Sequence, residues 1–463
     1  MLHRSARLRN DAYTGKETDI RFAACSILLA LFSQALWGVD EKGFPKPDER
    51  VLNVYWTDAS PTIDGEMRDA CWKTAEVAKD FALFKHAGRP TQKTEVRVAY
   101  DASSLYLFWT LHEANMAKLM VGGAEDARDF IKFEDAPELF LDPGRTEEKY
   151  FQFVTIPLAA RYDASTRAGD STNYTPDWEC KSGRFDGGWT IEQRIPFGEL
   201  ASAPGHVVTT PGMDERWGMQ FCRNQGSLHE WSQWVPTDRG FHEPKNFGNA
   251  IFQGRPKGEP LPRVTSFDTG HLFYGPGAIA ITYNGASDTV SGTFTVRRES
   301  KVVNQESVKQ QQGDGPVRFA YQLLDAGNYR LSFELSIKGK AFFTGQAVAF
   351  LPPTRVTLEA MEREITQGKQ TLAKLGDRHA AFDNLRSQVD DFDARTRPAR
   401  QQVARAADLS ADDWKNLVND SEAFTAEWSK LQYDINLAGL YRGRSSKRTQ
   451  LFAVGTLTES DKV

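Results

Sequence analysis

Residues 51–253 carry a succession of short apolar runs closed by turn-forming residues, and no long stretch of helical spacing interrupts them. Val96, Val98 and Tyr100 alternate with Glu95, Arg97 and Ala99, the period of two expected when one strand face enters a core. Residues 105–111 (LYLFWTL) are apolar and β-rich, as in a central strand covered on both faces. Residues 138–141, 150–156, 189–195 and 217–222 extend the series. Between them Asp142-Pro143-Gly144, Asp186-Gly187-Gly188 and Pro211-Gly212 supply turn chemistry. Short strands without helical crossovers predict an all-β sandwich.

The pattern then changes twice. Residues 256–262 are rich in Pro and Gly and read as a linker. Strand-like runs at 278–283, 291–297, 319–323, 329–337 and 341–350 fit a small immunoglobulin-like sandwich over 263–352. After Pro352-Pro353, Leu358, Met361, Ile365, Leu372, Leu375, Phe382, Leu385, Val389 and Phe392 form one helical stripe, which Pro398 is expected to interrupt. Ser410 with Asp413 three residues later has the form of a capping box. Trp414, Leu417, Phe424, Trp428, Leu431 and Ile435 make a second stripe. An antiparallel helical hairpin over 354–442 is the economical expectation, and it offers a surface for a protein partner. Residues 443–463 form a tail whose strand-like run 450–457 is expected to open a further domain.

The N-terminal residues lie outside this architecture. Arg4, Arg7, Arg9 and Arg21 flank an apolar run at 22–37, and Ser33-Gln34-Ala35 has the small-x-small form of a cleavage site. Residues 1–38 therefore read as a secretory signal peptide, which implies a periplasmic, cell-surface or extracellular location. With 57 basic against 62 acidic residues, the chain lacks the excess of Lys and Arg that neutralises phosphates, so no nucleic-acid partner is expected. An aromatic content of 11% excludes an intrinsically disordered chain.

The common catalytic signatures are missing from the sequence. His112, His229 and His242 each precede Glu, but the residue four positions on is Met116, Gln233 or Asn246, so no zinc-binding pair forms. Neither a phosphate-binding loop nor a Gly-x-Ser-x-Gly elbow occurs. Cys71, Cys180 and Cys222 lack metal-ligand spacing and read as buried thiols or one disulfide among them. Glu134, Asp135, Glu138 and Asp142 cluster on one strand, where period two puts Glu138 and Asp142 on a face with Ala136 and Phe140. Two readings of Glu138 stand here: half of a glycoside-hydrolysing carboxylate pair, or a solvent-facing residue of an edge strand.

Six motifs in order carry a resemblance: PTIDGEMRDACW (61–72), VRVAYDASSLYLFW (96–109), EDAPELFLDP (134–143), GWTIEQRIPFGEL (188–200), RWGMQFCRN (216–224) and FHEPKNFGNAIF (241–252). Together they make residues 45–255 similar to family 9 carbohydrate-binding modules. The resemblance implies a jelly-roll-like sandwich that binds polysaccharide or oligosaccharide ends, in some members with structural calcium. The whole chain resembles multidomain polysaccharide-associated proteins of environmental bacteria. In the family two tryptophans sandwich the terminal sugar. One of these positions falls at Phe241, the other at Lys132 beside Phe133. The family's sugar-contacting glutamate matches Glu138 and an asparagine contact falls at Asp238. Its arginine and glutamine contacts fall at Val154 and Cys222, which cannot substitute. Asp64 and Asp142 are the candidate calcium carboxylates, with turn formation as their alternative use.

The expectation is thus a mainly β chain whose function is exported carbohydrate binding linked to carbohydrate catabolism. Two alternatives stand beside it: a glycoside hydrolase built on the strand around Glu138, and an envelope scaffold that has lost sugar affinity. Against the hydrolase, no segment is large enough for a catalytic barrel of about 250 residues.

Overall fold

The computed structural model describes residues 49–86, 88–121, 134–166, 174–309, 313–375 and 380–440. The expected signal peptide and the tail at 443–463 lie outside the described residues. The first β domain comprises β1 (Val51–Trp56), helix α1 (Cys71–Thr74), β2 (Val77–Ala78), β3 (Ala82–Leu83), β4 (Thr94–Tyr100), β5 (Ser104–His112) and β6 (Asp135–Asp142). It continues through β7 (Phe151–Thr155), β8 (Arg161–Ser165), β9 (Glu179–Phe185), β10 (Gly188–Pro196), β11 (Val207–Thr209), β12 (Arg216–Gln225), β13 (Glu230–Gln233) and β14 (Gly248–Gln253).

One hydrogen-bonded path runs β8-β7-β6-β12-β14-β1-β4-β5-β10-β9, with β1 parallel to both of its neighbours. The sheet doubles over on itself. Trp109 of β5 meets Phe221 of β12 edge to face at 5.6 Å, and Gln193 of β10 donates from Nε2 to Thr155 Oγ1 of β7 at 2.8 Å. Alternation decides what enters the enclosed core: Leu139, Leu141, Phe151, Phe153, Met219 and Phe221 from one half, Leu107, Trp109, Trp189 and Ile191 from the other. The intervening residues of β6, β7 and β12 are left on the outer face, where the candidate site lies.

The opening segment 61–75 crosses the outer face of the opposite half, and a buried carboxylate holds it there. Glu192 Oε2 accepts the backbone N–H groups of Asp64 and Gly65, both at 3.0 Å, and Oε1 accepts Trp72 Nε1–H at 2.9 Å. Cys71 and Trp72 pack on Ala99, Tyr106 and Phe108. Gly65 has φ +82°, and a Cβ there would stand 2.7 Å from Gly183 N, so the turn must close with glycine.

The second β domain has two sheets, β15 (Arg263–Asp268), β16 (Gly275–Asn284) and β19 (Gly315–Leu323) in one, β17 (Val290–Arg298), β18 (Lys301–Lys309), β20 (Gly327–Ile337) and β21 (Lys340–Leu351) in the other. The first domain completes the larger sheet, since β11 pairs with the outer edge of β21. Gln346 Nε2 donates to Gly198 O at 2.7 Å, Thr344 Oγ1 to Ala102 O at 2.6 Å, and Arg330 pairs with Glu199 at 3.2 Å. The expected linker is tied back as well: Arg255 Nε donates to both oxygens of Asp58 at 2.8 Å.

The helical region differs from the expected hairpin. Among the described residues it contains three helices, α2 (Thr354–Ala373), α3 (Ala380–Val403) and α4 (Ala411–Leu440). The first stripe is shared by α2 and α3, whose Met361, Ile365, Leu385, Val389 and Phe392 converge on Trp428, Leu431 and Ile435 of α4. Pro398 lies inside α3 instead of ending it. The carbonyls preceding the proline step take side-chain donors, Thr396 Oγ1 on Phe392 O and Arg400 Nη2 on Asp393 O, both at 2.8 Å. The capping box forms: Asp413 N–H donates to Ser410 Oγ at 3.1 Å, and Ser410 N–H to Asp413 Oδ2 at 3.0 Å. Trp414 stacks on Tyr274 of the second β domain at 4.0 Å. Among the described residues no helix is long and apolar enough to cross a membrane.

Candidate functional site

Strand β6 is not an edge strand. It lies between β7 and β12, and all eight of its residues are buried. Its outer face carries Ala136, Glu138, Phe140 and Asp142. In register, Glu138 stands between Val154 of β7 and Cys222 of β12. The two positions at which the family's arginine and glutamine contacts fall are therefore its immediate neighbours, and both are non-polar here. Among the described residues Glu138 meets no second carboxylate across this row. Asp135 belongs to the opposite face of β6, and Asp163, opposite Phe153, accepts Trp178 Nε1–H at 2.7 Å.

The polar partners of Glu138 come from diagonal positions. Gln152 Nε2 donates to Oε2 at 2.7 Å and Asn224 Nδ2 to Oε1 at 2.6 Å. Only 3% of Glu138 meets solvent. Among the described residues no cation lies close enough to offset that burial, and the two amides are neutral, so desolvation pushes the carboxyl up to about 7. The result is a carboxyl group held in one orientation and flanked by two amides that each offer a donor pair and an acceptor.

Aromatic groups flank this polar strip on both sides. On one side Phe140, Cys222 and Phe247 are buried against Tyr150 and Phe241. Phe241 is half-buried and meets Phe84 edge to face at 6.2 Å. Its loop is pinned by Glu243, whose Oε1 accepts Arg239 N–H at 2.6 Å and Gly240 N–H at 3.0 Å. On the other side Trp231 of β13 stands directly opposite Asn224 and is 55% exposed. Trp178 and Trp234 are buried in the core.

Glu138 and Phe241 thus meet on one face. Asp238 is exposed on the loop after β13, and the amide that bonds Glu138 from this side is Asn224. Phe133 and Lys132 lie outside the described residues. Gln152 and Asn224 were not singled out from the sequence. The available signal was Gln152 alone in the apolar run FQFVT, in a strand next to the one carrying Glu138.

Asp64 and Asp142 serve two separate turns and do not make a common calcium site. Asp64 pairs with Arg68 at 2.6 Å and accepts Glu66 N–H at 2.8 Å. Asp142 accepts Thr146 Oγ1–H at 2.8 Å and Glu147 N–H at 2.7 Å. Among the described residues no group of three or more His, Cys, Asp or Glu side chains gathers as a metal site. Cys71, Cys180 and Cys222 are buried thiols, and none of them forms a disulfide.

Residues 63–255 match the family model described as carbohydrate family 9 binding domain-like. Similar solved structures include a family 9 module from Caldicellulosiruptor kristjanssonii in complex with cellotriose, 17% identical, covering 45% of this chain and 95% of that chain with a TM-score of 0.33. The glucose complex of a module from the same organism is also 17% identical, covering 44% of this chain and 98% of that chain with a TM-score of 0.32. No curated protein matches the chain. Over residues 63–255 the chain is thus similar to carbohydrate family 9 binding domains, and among the described residues it continues into a second two-sheet β domain and three helices.

Proposed function

We propose that the chain binds the ends of oligosaccharides or polysaccharides on the outer face of β6, β7 and β12, with Glu138 as the central acceptor and Phe241 as an apolar wall. One observation carries this reading: a buried carboxyl held by two amides on the same face as half-buried and exposed aromatic rings. The family 9 match over residues 63–255 supports it. A carboxylate accepts sugar hydroxyls through charge-assisted bonds worth about 1.5–3 kcal/mol each. Phe241 presents a smaller ring than tryptophan and no N–H, and Val154 stands where the family's arginine contact falls, so binding is weak. A Kd of about 0.1–1 mM, or roughly −4 to −5.5 kcal/mol, is expected.

Export belongs to the same proposal, because the Arg-flanked run at 22–37 would carry the chain to where polysaccharide is found. Association with carbohydrate catabolism follows from that ligand class. Calorimetric titration of the full chain with glucose, xylose, mannose and their di- and trisaccharides tests the reading. Saturable heat that disappears in Glu138→Ala, with thermal unfolding unchanged in shape, supports it. Wild-type protein that binds none of the panel sinks it.

A further inference from the structure

The geometry points to Trp231 as the stacking face of a further sugar subsite, beyond the one centred on Glu138, so that the site spans three successive rings of one chain. This rests on the carbohydrate-binding reading above.

The first support is the contrast in burial. The other seven tryptophans between Trp56 and Trp234 are at most 6% exposed, whereas Trp231 is 55% exposed. A single exposed ring is ordinary on a protein surface, so exposure alone decides nothing. Register does. Trp231 lies opposite Asn224, and residues directly opposite in an antiparallel pair project from the same face with their Cβ atoms about 5 Å apart. Asn224 is the residue whose amide bonds Glu138. Carboxylate, amide and indole therefore follow one another across β6, β12 and β13 on one face.

Spacing gives the number of rings. Glu138 and Trp231 are two strands apart and offset by two residues, which puts their α-carbons about 12 Å apart. Asn224 stands between them. That is about two steps between adjacent pyranoses, so a pyranose above the Glu138 carboxyl and a pyranose on the indole are separated by one ring of the same chain, which lies over Asn224. The platform is also rigid. Glu230, the residue before Trp231, accepts Thr91 N–H at 2.9 Å, while Ser232 and Gln233 pair with Leu83 and Ala82 of β3. The chain fixes β13 on both sides of the indole and leaves the indole itself in solvent.

Calorimetric titration of the full chain compares wild type, Trp231→Ala and Trp231→Tyr against glucose, cellobiose, cellotriose, xylose, xylobiose and xylotriose. In Trp231→Ala the affinity for the trisaccharides that bind falls about five- to tenfold, the monosaccharide constant stays within about twofold, and Trp231→Tyr recovers most of the loss. An equal loss for monosaccharide and trisaccharide would put the indole on the first ring and overturn the further subsite. Unchanged trisaccharide affinity would remove Trp231 from the site while leaving carbohydrate binding intact. Wild-type protein that binds no sugar of either series would overturn both readings together.

Discussion

Replacing Glu192 by Gln sets two physical effects against each other. The carboxyl is fully buried and accepts three N–H donors, two from the backbone at 64–65 and one from Trp72. Burial opposes its ionisation, while the donors favour it; desolvation dominates, and the group is pushed up to about 7 from 4.5. A carboxyl whose folded pKa lies above its unfolded value contributes stability that is fully present below about 4.5 and is lost as pH rises through about 7. The shift of about 2.5 units corresponds to about 3 kcal/mol between those limits. Glutamine is nearly isosteric and never ionises. Its carbonyl can take both backbone donors, which turns its amide against the Trp72 N–H and leaves a buried donor unpaired at a cost of about 1–3 kcal/mol. At pH 5 the variant is therefore less stable than wild type by about that amount. By pH 8 the wild type has lost about 3 kcal/mol that the variant keeps, and the two stabilities meet or cross.

Urea unfolding of both proteins at pH 5, 6, 7 and 8, followed by tryptophan fluorescence, reads the difference directly. Other titrating groups cancel because they are common to both chains. A difference that widens as pH rises would mean that the three donors outweigh burial and that Glu192 is ionised in the folded protein well below pH 7. That outcome would refute the reasoning.

Two further predictions follow from the same structure. Because Glu138 is also pushed up to about 7 and its ionised form is the better acceptor, sugar affinity should rise about thirtyfold between pH 5.5 and 8.5; titration at both pH values checks this, and a flat or falling profile would contradict it. At the joint between the β domains, Gln346→Ala removes one of two donors to Gly198 O, which keeps the Ala201 N–H, with a cost of about 0.5–1.5 kcal/mol. Calorimetric unfolding should then occur at lower temperature and limited proteolysis should cut more readily near residues 198–210, whereas an unchanged profile would mean that β11 alone holds the joint.

Period two located strands such as β4, which has one face in a core, and passed over strands without that asymmetry such as β18. Strand β18 reads KVVNQESVK, lies at the edge of its sheet, and exposes Val302 and Val303, so its sequence carries no apolar alternation. The helical stripe continues from Leu372 through Leu375 and Phe382 to Leu385, which hid the division between α2 and α3 because the chain re-enters the same core after it. Pro398 was expected to break the helix. A proline removes only the bond to the carbonyl four residues back, here that of Ala394, and the helix continues past it to Val403.

The same distinction governs the two buried carboxyls on the outer faces of the first domain. Glu192 takes all of its donors from one contiguous segment, 64–72, and the motif PTIDGEMRDACW that announces the family also announces what covers it. Glu138 takes its donors from side chains on two other strands, 14 and 86 residues away in sequence. Nothing local to Glu138 says which residues those are, because a slip of one residue in either strand would turn Gln152 or Asn224 toward the core. Backbone donors are present whatever the side chains are, so the first arrangement persists wherever the turn persists. Side-chain amides and aromatic faces can be exchanged without disturbing the ladder. That is why the scaffold of the first domain is legible in its motifs, while Gln152, Asn224 and Trp231 share a face that only the register brings together.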